Sequence, residues 1–448
     1  MNKKRISRRA FAATSTAAVA AFTIVPRFVL GGPGFTPPSE KLNIACIGVG
    51  GMGKSDLRAV SKENNIVALC DVDHQHAAES FKEHPNANLY KDFRIMLEKE
   101  HKNIDAVTVS TPDHTHAVAA MAAIKMGKHV YCQKPLGHDV HEVRALTEEA
   151  RKQGVVTQMG VQLHAIEAMK LGVEIVKSGM IGKVGKVDVW SCKGFDPRAR
   201  HERSVHIPKM EVPKMPIPKT LDWDLWLGPA SYRPYHGQYL PASWRDWWEF
   251  GSGRLGDMGC HLIDPVFWAL DLKAPLTIEA HPAPFTEEIT PEDTIVQWEF
   301  AARGEHPPLT MRWYDGYNKP FLPPEVAVDS ELPNQGCLFY GERGILLMRH
   351  DNAPTLLPVE RMKDFKHPKQ LFPRRVNHYN EWSRACVSGG TTSTNWDYAG
   401  PLTETVLLGN VAARAGKRIY WDSKNLNITN MPEANIYLKR EYRKGWSL

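Results

Sequence analysis

Residues 42–53 confine this chain more than any other stretch. Leu42-Asn43-Ile44-Ala45-Cys46-Ile47 is an apolar run of strand length that passes directly into Gly48-Val49-Gly50-Gly51-Met52-Gly53, a G-x-G-x-x-G, and then into a helical stretch over 55–61. In such a strand–turn–helix unit the first glycine makes the tight turn and the second lets the backbone approach a pyrophosphate. The third lets helix and strand pack closely. The helix N-terminus then offers free N–H groups and positive potential to phosphate oxygens. A second apolar strand, Ile66-Val67-Ala68-Leu69-Cys70, ends in Asp71. That is about 20 residues past the glycines, where an acid meets the hydroxyls of an adenosine ribose. An acid there favours NAD, because it repels the 2′-phosphate of NADP. The loop alone is a weak signal. Loop, both strands, helix and acid together predict a dinucleotide site with Gly48, Gly50, Gly51, Met52, Gly53 and Asp71 as cofactor contacts.

The βα alternation continues. Asp105-Ala106-Val107-Thr108-Val109-Ser110 reads as a third strand, followed by Thr111-Pro112-Asp113-His114-Thr115-His116 and a helix over 117–126 closed by Gly127. His129-Val130-Tyr131-Cys132 is the next strand and delivers Gln133-Lys134-Pro135, with Gln158 to His164 beyond it. Ligands of open α/β sheets sit outside the carboxyl ends of the strands. Ser110, Thr111, Pro112, His116, Gln133, Lys134 and Gln162 therefore join the expected cofactor site.

A different texture follows. After a helix to about 178 and a strand at 182–190, strand-like runs recur without regular helices at 276–280, 294–300, 309–314, 336–340 and 345–349. The whole reads as an α/β chain: a Rossmann-type domain over 41–160, then an α+β domain over 161–448 with a large, mostly antiparallel sheet. Residues 197–218, rich in Pro, Arg and Lys, read as a long loop or arm. Helices at 377–387 and 402–415 pack back on the sheet, and His378 and Tyr379 on the first are secondary site candidates.

Reacting groups gather between Phe250 and Asp264. Asp257 and His261 are four apart and share a face if that stretch is helical. A surface pair or a helix-end contact is the plain alternative. A metal site completed by His201, His206 or His236 is another, but no compact ligand set appears and no metal is expected. Just upstream stand Trp223, Trp226, Tyr232, Tyr235, Trp244, Trp247 and Trp248. Most of these should be packing, while one or two flat faces suit the C–H surface of a sugar ring, with Arg233, Arg245 and Asp246 placed to take hydroxyls.

A G-x-G-x-x-G start, a strand ending in T-P-x-x-x-H and a later strand ending in a Glu-Lys-Pro-like tripeptide resemble the Gfo/Idh/MocA oxidoreductases over essentially the whole mature chain. The resemblance implies hydride transfer between a substrate alcohol and NAD. It makes His261 the proton acceptor for a substrate hydroxyl and Lys134 the stabiliser of the developing alkoxide. Asp257 then orients His261 or binds sugar hydroxyls. It also implies a homo-oligomer, a dimer or tetramer, through an exposed sheet face. One departure is that the usual Glu of the tripeptide is Gln133 here. Losing that carboxylate removes a negative charge beside Lys134 and should make its proton easier to share.

The N-terminus carries an address. Lys3, Lys4 and Arg5 precede Ser7-Arg8-Arg9-Ala10-Phe11 and an Ala/Thr/Val-rich stretch. This resembles a twin-arginine export signal over 1–30, followed by a Pro/Gly tether over 31–40, and predicts a periplasmic protein that meets the membrane only through the export pathway. That route carries folded proteins, and the periplasm is not expected to supply free dinucleotide, so the cofactor should be held tightly. The net charge of +6 is dispersed, without a long basic tract past the N-terminus, so a nucleic-acid partner has no support and none is expected. Seven scattered cysteines without a C-x-x-C suggest no disulfide framework. The leading expectation is oxidation of a ring hydroxyl of a sugar or glycoside, a glycoside 3-dehydrogenase among the options. The rivals are a redox-neutral glycoside hydrolase that oxidises, eliminates, adds water and reduces again, and a non-catalytic NAD- and sugar-binding protein.

Overall fold

Two sheets organise the protein. The structure, a computed structural model, describes residues 41–192, 215–321, 332–350 and 352–448; the export signal, the tether and most of the expected 197–218 arm lie outside the described residues.

The first sheet consists of β1 (Asn43–Ile47), β2 (Asn65–Cys70), β3 (Asn88–Tyr90), β4 (Ala106–Val109), β5 (His129–Gln133) and β6 (Thr157–Gly160). All pairs are parallel, in the order β3-β2-β1-β4-β5-β6. Helices cover both faces, which is why β4 and β6 are buried at every position and read as continuous rather than alternating runs. The crossovers are α1 (Gly51–Val60), α2 (Ala78–Glu83), α3 (Phe93–Glu100), α4 (Asp113–Lys125) and α5 (Val140–Gln153). Asp139 caps α5 by accepting from the Glu142 N–H, and Gly154 ends it in the left-handed region. Helix α4 begins four residues before the expected 117, because Pro112 presets the backbone at its N-cap. His114 and His116 are therefore helical and buried.

After α6 (Glu167–Lys177) the chain builds a nine-stranded sheet from β7 (Val184–Ser191), β8 (Thr277–Pro282), β9 (Thr294–Phe300), β10 (Leu309–Asp315), β11 (Gln335–Gly341), β12 (Gly344–Arg349), β13 (Thr355–Leu357), β14 (Ile419–Asp422) and β15 (Asn427–Ile428). Its order is β13-β12-β11-β7-β10-β9-β8-β14-β15, antiparallel except for the central β7–β10 pair. β9 and β10 alternate buried and half-buried positions, the mark of one covered face. Of the remaining helices, α7 (Trp223–Leu227) belongs to the aromatic segment, α8 (Gly253–Leu270) and α10 (Trp396–Ala415) pack on the second sheet, and α9 (His378–Ser388) packs against α1. The outer edge of β6 is closed by residues 392–394: Met159 N–H donates to Thr394 O, and the Thr392 and Thr394 hydroxyls donate to Thr157 O and Met159 O.

Residues 438–446 strap the first sheet from outside. Arg440 donates through Nε and Nη2 to Glu142 Oε1 at 3.0 and 2.9 Å, and Tyr442 OH donates to the same oxygen at 2.8 Å. Arg440 also reaches His114 O, Arg443 reaches Gly228 O, and Trp446 lies under Arg94. Glu142 is only 1% exposed, and the strap supplies its cation. Removing one partner of a buried pair strands the other. Arg440→Met should lower the unfolding free energy by about 3–5 kcal/mol in urea titrations.

Candidate active site

The carboxyl ends of β4 and β5 meet the first turns of α8. Lys134, just past β5, donates through Nζ to Asp257 O and Oδ1, both at 2.6 Å. Arg245, on a short 3-10 turn in the aromatic segment, donates through Nε to the same Oδ1 at 3.1 Å. Burial opposes the charge on Asp257, but Lys134 and Arg245 outweigh it and hold the carboxyl well below its ordinary value. His261 follows one turn along α8, on the same face as expected. Burial first, and then the Lys134 charge, push its imidazole well below the usual 6.5, so it stands neutral. Its Nδ1 has no hydrogen-bond partner among the described residues.

Asp113 was not singled out by the sequence reading. It is the first residue of α4, 4% exposed, and accepts from Ser252 Oγ at 3.3 Å. Burial pushes its carboxyl up to about 7, against the pull of Arg245 and Lys134. The available signal was an acid at a helix start directly after a strand's carboxyl end.

Behind the glycine loop lies a second assembly the sequence did not reveal. Asp56 of α1 is fully buried and accepts from Ser110 Oγ at 2.7 Å, from Gln133 Nε2 at 2.9 and 3.1 Å, and from Tyr379 OH at 2.7 Å. Gln162 Nε2 donates to the hydroxyls of Tyr131 and Tyr379 at 3.1 and 3.3 Å. Three side chains expected at the cofactor, those of Ser110, Gln133 and Gln162, thus bond into this network. His116 is likewise enclosed, with Nδ1 2.7 Å from Pro135 O and Nε2 2.8 Å from Thr111 O, so it braces the loop that carries Lys134. Thr111 and Pro112 line the turn between β4 and α4. The expected charge gap beside Lys134 is filled from elsewhere: Asp257 supplies the carboxylate, while Gln133 turns to Asp56. That arrangement explains the glutamine. A glutamate at 133 would set two carboxylates against each other where burial already raises the Asp56 carboxyl.

The glycine loop fits a dinucleotide. A Cβ at Gly53 would stand 1.9 Å from Gly48 O, so only glycine allows α1 to start where it does. The first-turn amides of α1 are left without intrahelical acceptors, and Met52 beside them is 45% exposed. Asp71 Oδ2 accepts from the N–H groups of Val49 and Gly50 at 2.9 and 3.2 Å, and Oδ1 accepts from Asp73 N–H at 3.0 Å. It braces the loop, a role its spacing did not announce.

The aromatic segment is mostly packing. Trp223 stacks on Trp226 at 4.8 Å, and Arg233 is enclosed with Tyr239, Trp247 and Phe250 and paired to Glu288 at 2.6 Å, which removes it from the expected hydroxyl-binding set. Trp244 touches the site, under Arg245 at 4.2 Å. Among the described residues no three His, Cys, Asp or Glu side chains converge as metal ligands, and His236 caps a turn by accepting from Gln238 N–H.

Residues 42–161 match the oxidoreductase family's NAD-binding Rossmann fold of GFO_IDH_MocA, and residues 165–300 match its C-terminal alpha/beta domain. The chain belongs to the Gfo/Idh/MocA family. Its six-stranded sheet is an NAD-binding Rossmann domain. The chain is 26% identical over 236 residues to a levoglucosan dehydrogenase of Pseudarthrobacter phenanthrenivorans, covering 50% of each chain. It is 29% identical over 144 residues to a myo-inositol 2-dehydrogenase of Thermotoga maritima, covering 32% of this chain and 42% of that one. The matches thus span half or less of these curated relatives. In fold it is similar to the WlbA dehydrogenase of Bordetella pertussis, solved with NADH and UDP-GlcNAcA, at a TM-score of 0.59 and 15% identity over 85% of this chain and 99% of that one. A levoglucosan dehydrogenase solved with NADH and levoglucosan gives 0.58 and 17% over the same shares.

The Asp56–Gln133 contact makes a clean test. Gln133→Glu should lower the unfolding free energy by about 1–3 kcal/mol, and adding Asp56→Asn should recover most of that loss. Urea titrations of the two single variants and the double variant, as a cycle, measure the coupling.

Proposed function

We propose that the protein is an NAD-dependent oxidoreductase that oxidises a ring hydroxyl of a sugar or glycoside, for example as a glycoside 3-dehydrogenase. The observation that carries this reading is the Lys134–Asp257 pair with a neutral His261 one helical turn away. NAD, when bound, accepts the hydride; the glycine loop from Gly48 to Gly53, with Asp71 behind it, would hold it. The chain's own groups handle the proton and the charge. Lys134 places a cation where the substrate oxygen gains negative charge, which makes its proton easier to remove. His261 has an unprotonated nitrogen to receive that proton. Asp257 fixes the Lys134 head and, through Arg245, anchors the aromatic segment to α8. The sugar and polyol dehydrogenases among the relatives support the substrate class. The reading includes twin-arginine export to the periplasm with the cofactor held tightly, supported by the Ser7–Phe11 motif, and a dimer or tetramer, supported by the family resemblance.

One observation favours a second reading, the redox-neutral glycoside hydrolase. Departure of an aglycone needs a proton donor, and Asp113 keeps its proton up to about pH 7 in the same site.

Lys134→Met and His261→Ala should each reduce turnover by a factor on the order of 100 while NAD stays bound. The pH profile tests the protonation assignment. A base whose folded value is pushed down keeps its unprotonated form into acid, so kcat/KM should show no inflection near 6.5. A fall centred there that persists in Asp113→Asn would place an unperturbed histidine in the role.

One flask separates the two readings. With a glycoside bearing a chromogenic leaving group and no added acceptor, a dehydrogenase should show a single rise of nicotinamide absorbance and then stall until a keto acceptor is added. Sustained release of the chromophore, with deuterium from heavy water on the carbon beside the oxidised one, would establish the hydrolase.

A further inference from the structure

We infer that Arg245 reads a carboxylate on the substrate, so that the sugar taken by this site is an acidic one, a uronic acid or its glycoside. The inference rests on the proposed sugar oxidation and narrows its substrate class.

Arg245 is held in place but only partly used. Its Nε donates to Asp257 Oδ1 at 3.1 Å, and its guanidinium lies over Trp244 at 4.2 Å, an indole only 6% exposed. From behind, the chain at Gly251 presses on it so closely that a Cβ there would stand 2.5 Å from Arg245 Cα. With its backbone, its Nε and one face of its guanidinium held, the two terminal nitrogens have no hydrogen-bond acceptor among the described residues, and the side chain is 36% exposed. A guanidinium anchored through Nε offers its remaining edge as a planar pair of donors, the shape that matches a carboxylate bidentately. Little side-chain entropy is left to lose on binding.

Charge points the same way. Two cations, Lys134 and Arg245, converge on one ionised carboxylate, Asp257. Asp113 is buried and largely protonated below neutral pH, so it offsets only part of the excess. A neutral hexose would leave that excess uncompensated in a partly desolvated site, whereas a single carboxylate matches it and the two charges of a phosphate exceed it. Lys134 Nζ and Arg245 Nε bind the same oxygen, so one sugar ring spans from a hydroxyl at Lys134 to a carboxylate at Arg245.

The test uses the NAD-loaded protein with the methyl glycosides of glucuronic and galacturonic acid, their neutral hexose parents and the hexose 6-phosphates. Wild type should favour one uronide over its neutral parent by tenfold or more in kcat/KM. Arg245→Gln should erase that preference, mainly through KM, and Arg245→Lys should restore only part of it. A wild type that prefers the neutral parent or the phosphate, or a variant that keeps the uronide preference, overturns the inference. If none of these sugars is oxidised, the oxidation reading fails on this panel, and calorimetry still judges Arg245. Uronide binding that is lost in Arg245→Gln upholds its role, and absence of uronide binding to wild type ends it.

Discussion

One oxygen atom, Asp257 Oδ1, joins the three parts of the protein that must act together. Lys134 reaches it from the end of the Rossmann sheet, Arg245 reaches it from the aromatic segment, and Asp257 itself rides on the long helix α8. Burial would by itself favour the neutral acid; the two cations reverse that and keep the carboxylate charged. The position of the Lys134 head and the anchoring of Trp244 under Arg245 both follow from this single acceptor. Because both donors share it, neither can shift without disturbing the other.

The fold was largely legible because its signals are local. The run from Leu42 to Gly53 specifies a strand, a turn without room for a Cβ and a helix start within a dozen residues, and Asp71 closes the unit. The later strands at 294–300 and 336–349 were equally visible through β-branched and aromatic runs. Helix α4 was placed late because an alanine-rich helix buried on every face has no polar stripe to mark its first turn, and His114 and His116 looked like loop residues.

The site was legible where the motif carried it and opaque where the third dimension did. Asp257 and His261 fall on one face by helical register. By contrast, the partners of Asp56 lie 54, 77 and 323 residues away at Ser110, Gln133 and Tyr379, and no spacing rule connects them. Arg245 was marked as placed to take sugar hydroxyls, but its bond to Asp257, 12 residues on, was not foreseen. Gln133 is instructive: read alone it was a missing charge beside Lys134, and only its contact with Asp56 shows that the carboxylate had a different owner on each side of the strand end.

The strap of residues 438–446 has a consequence for how the chain is made. Glu142 leaves the ribosome 298 residues before Arg440. Until that arginine arrives, the carboxylate lacks this cation, and enclosing it is costly. The Rossmann half is synthesised first, and its α5 gains this cation only when residues 438–446 have been added. Synthesis and packing are thereby coupled: the partners that neutralise one enclosed acid of the early half are made only after both sheets have been translated.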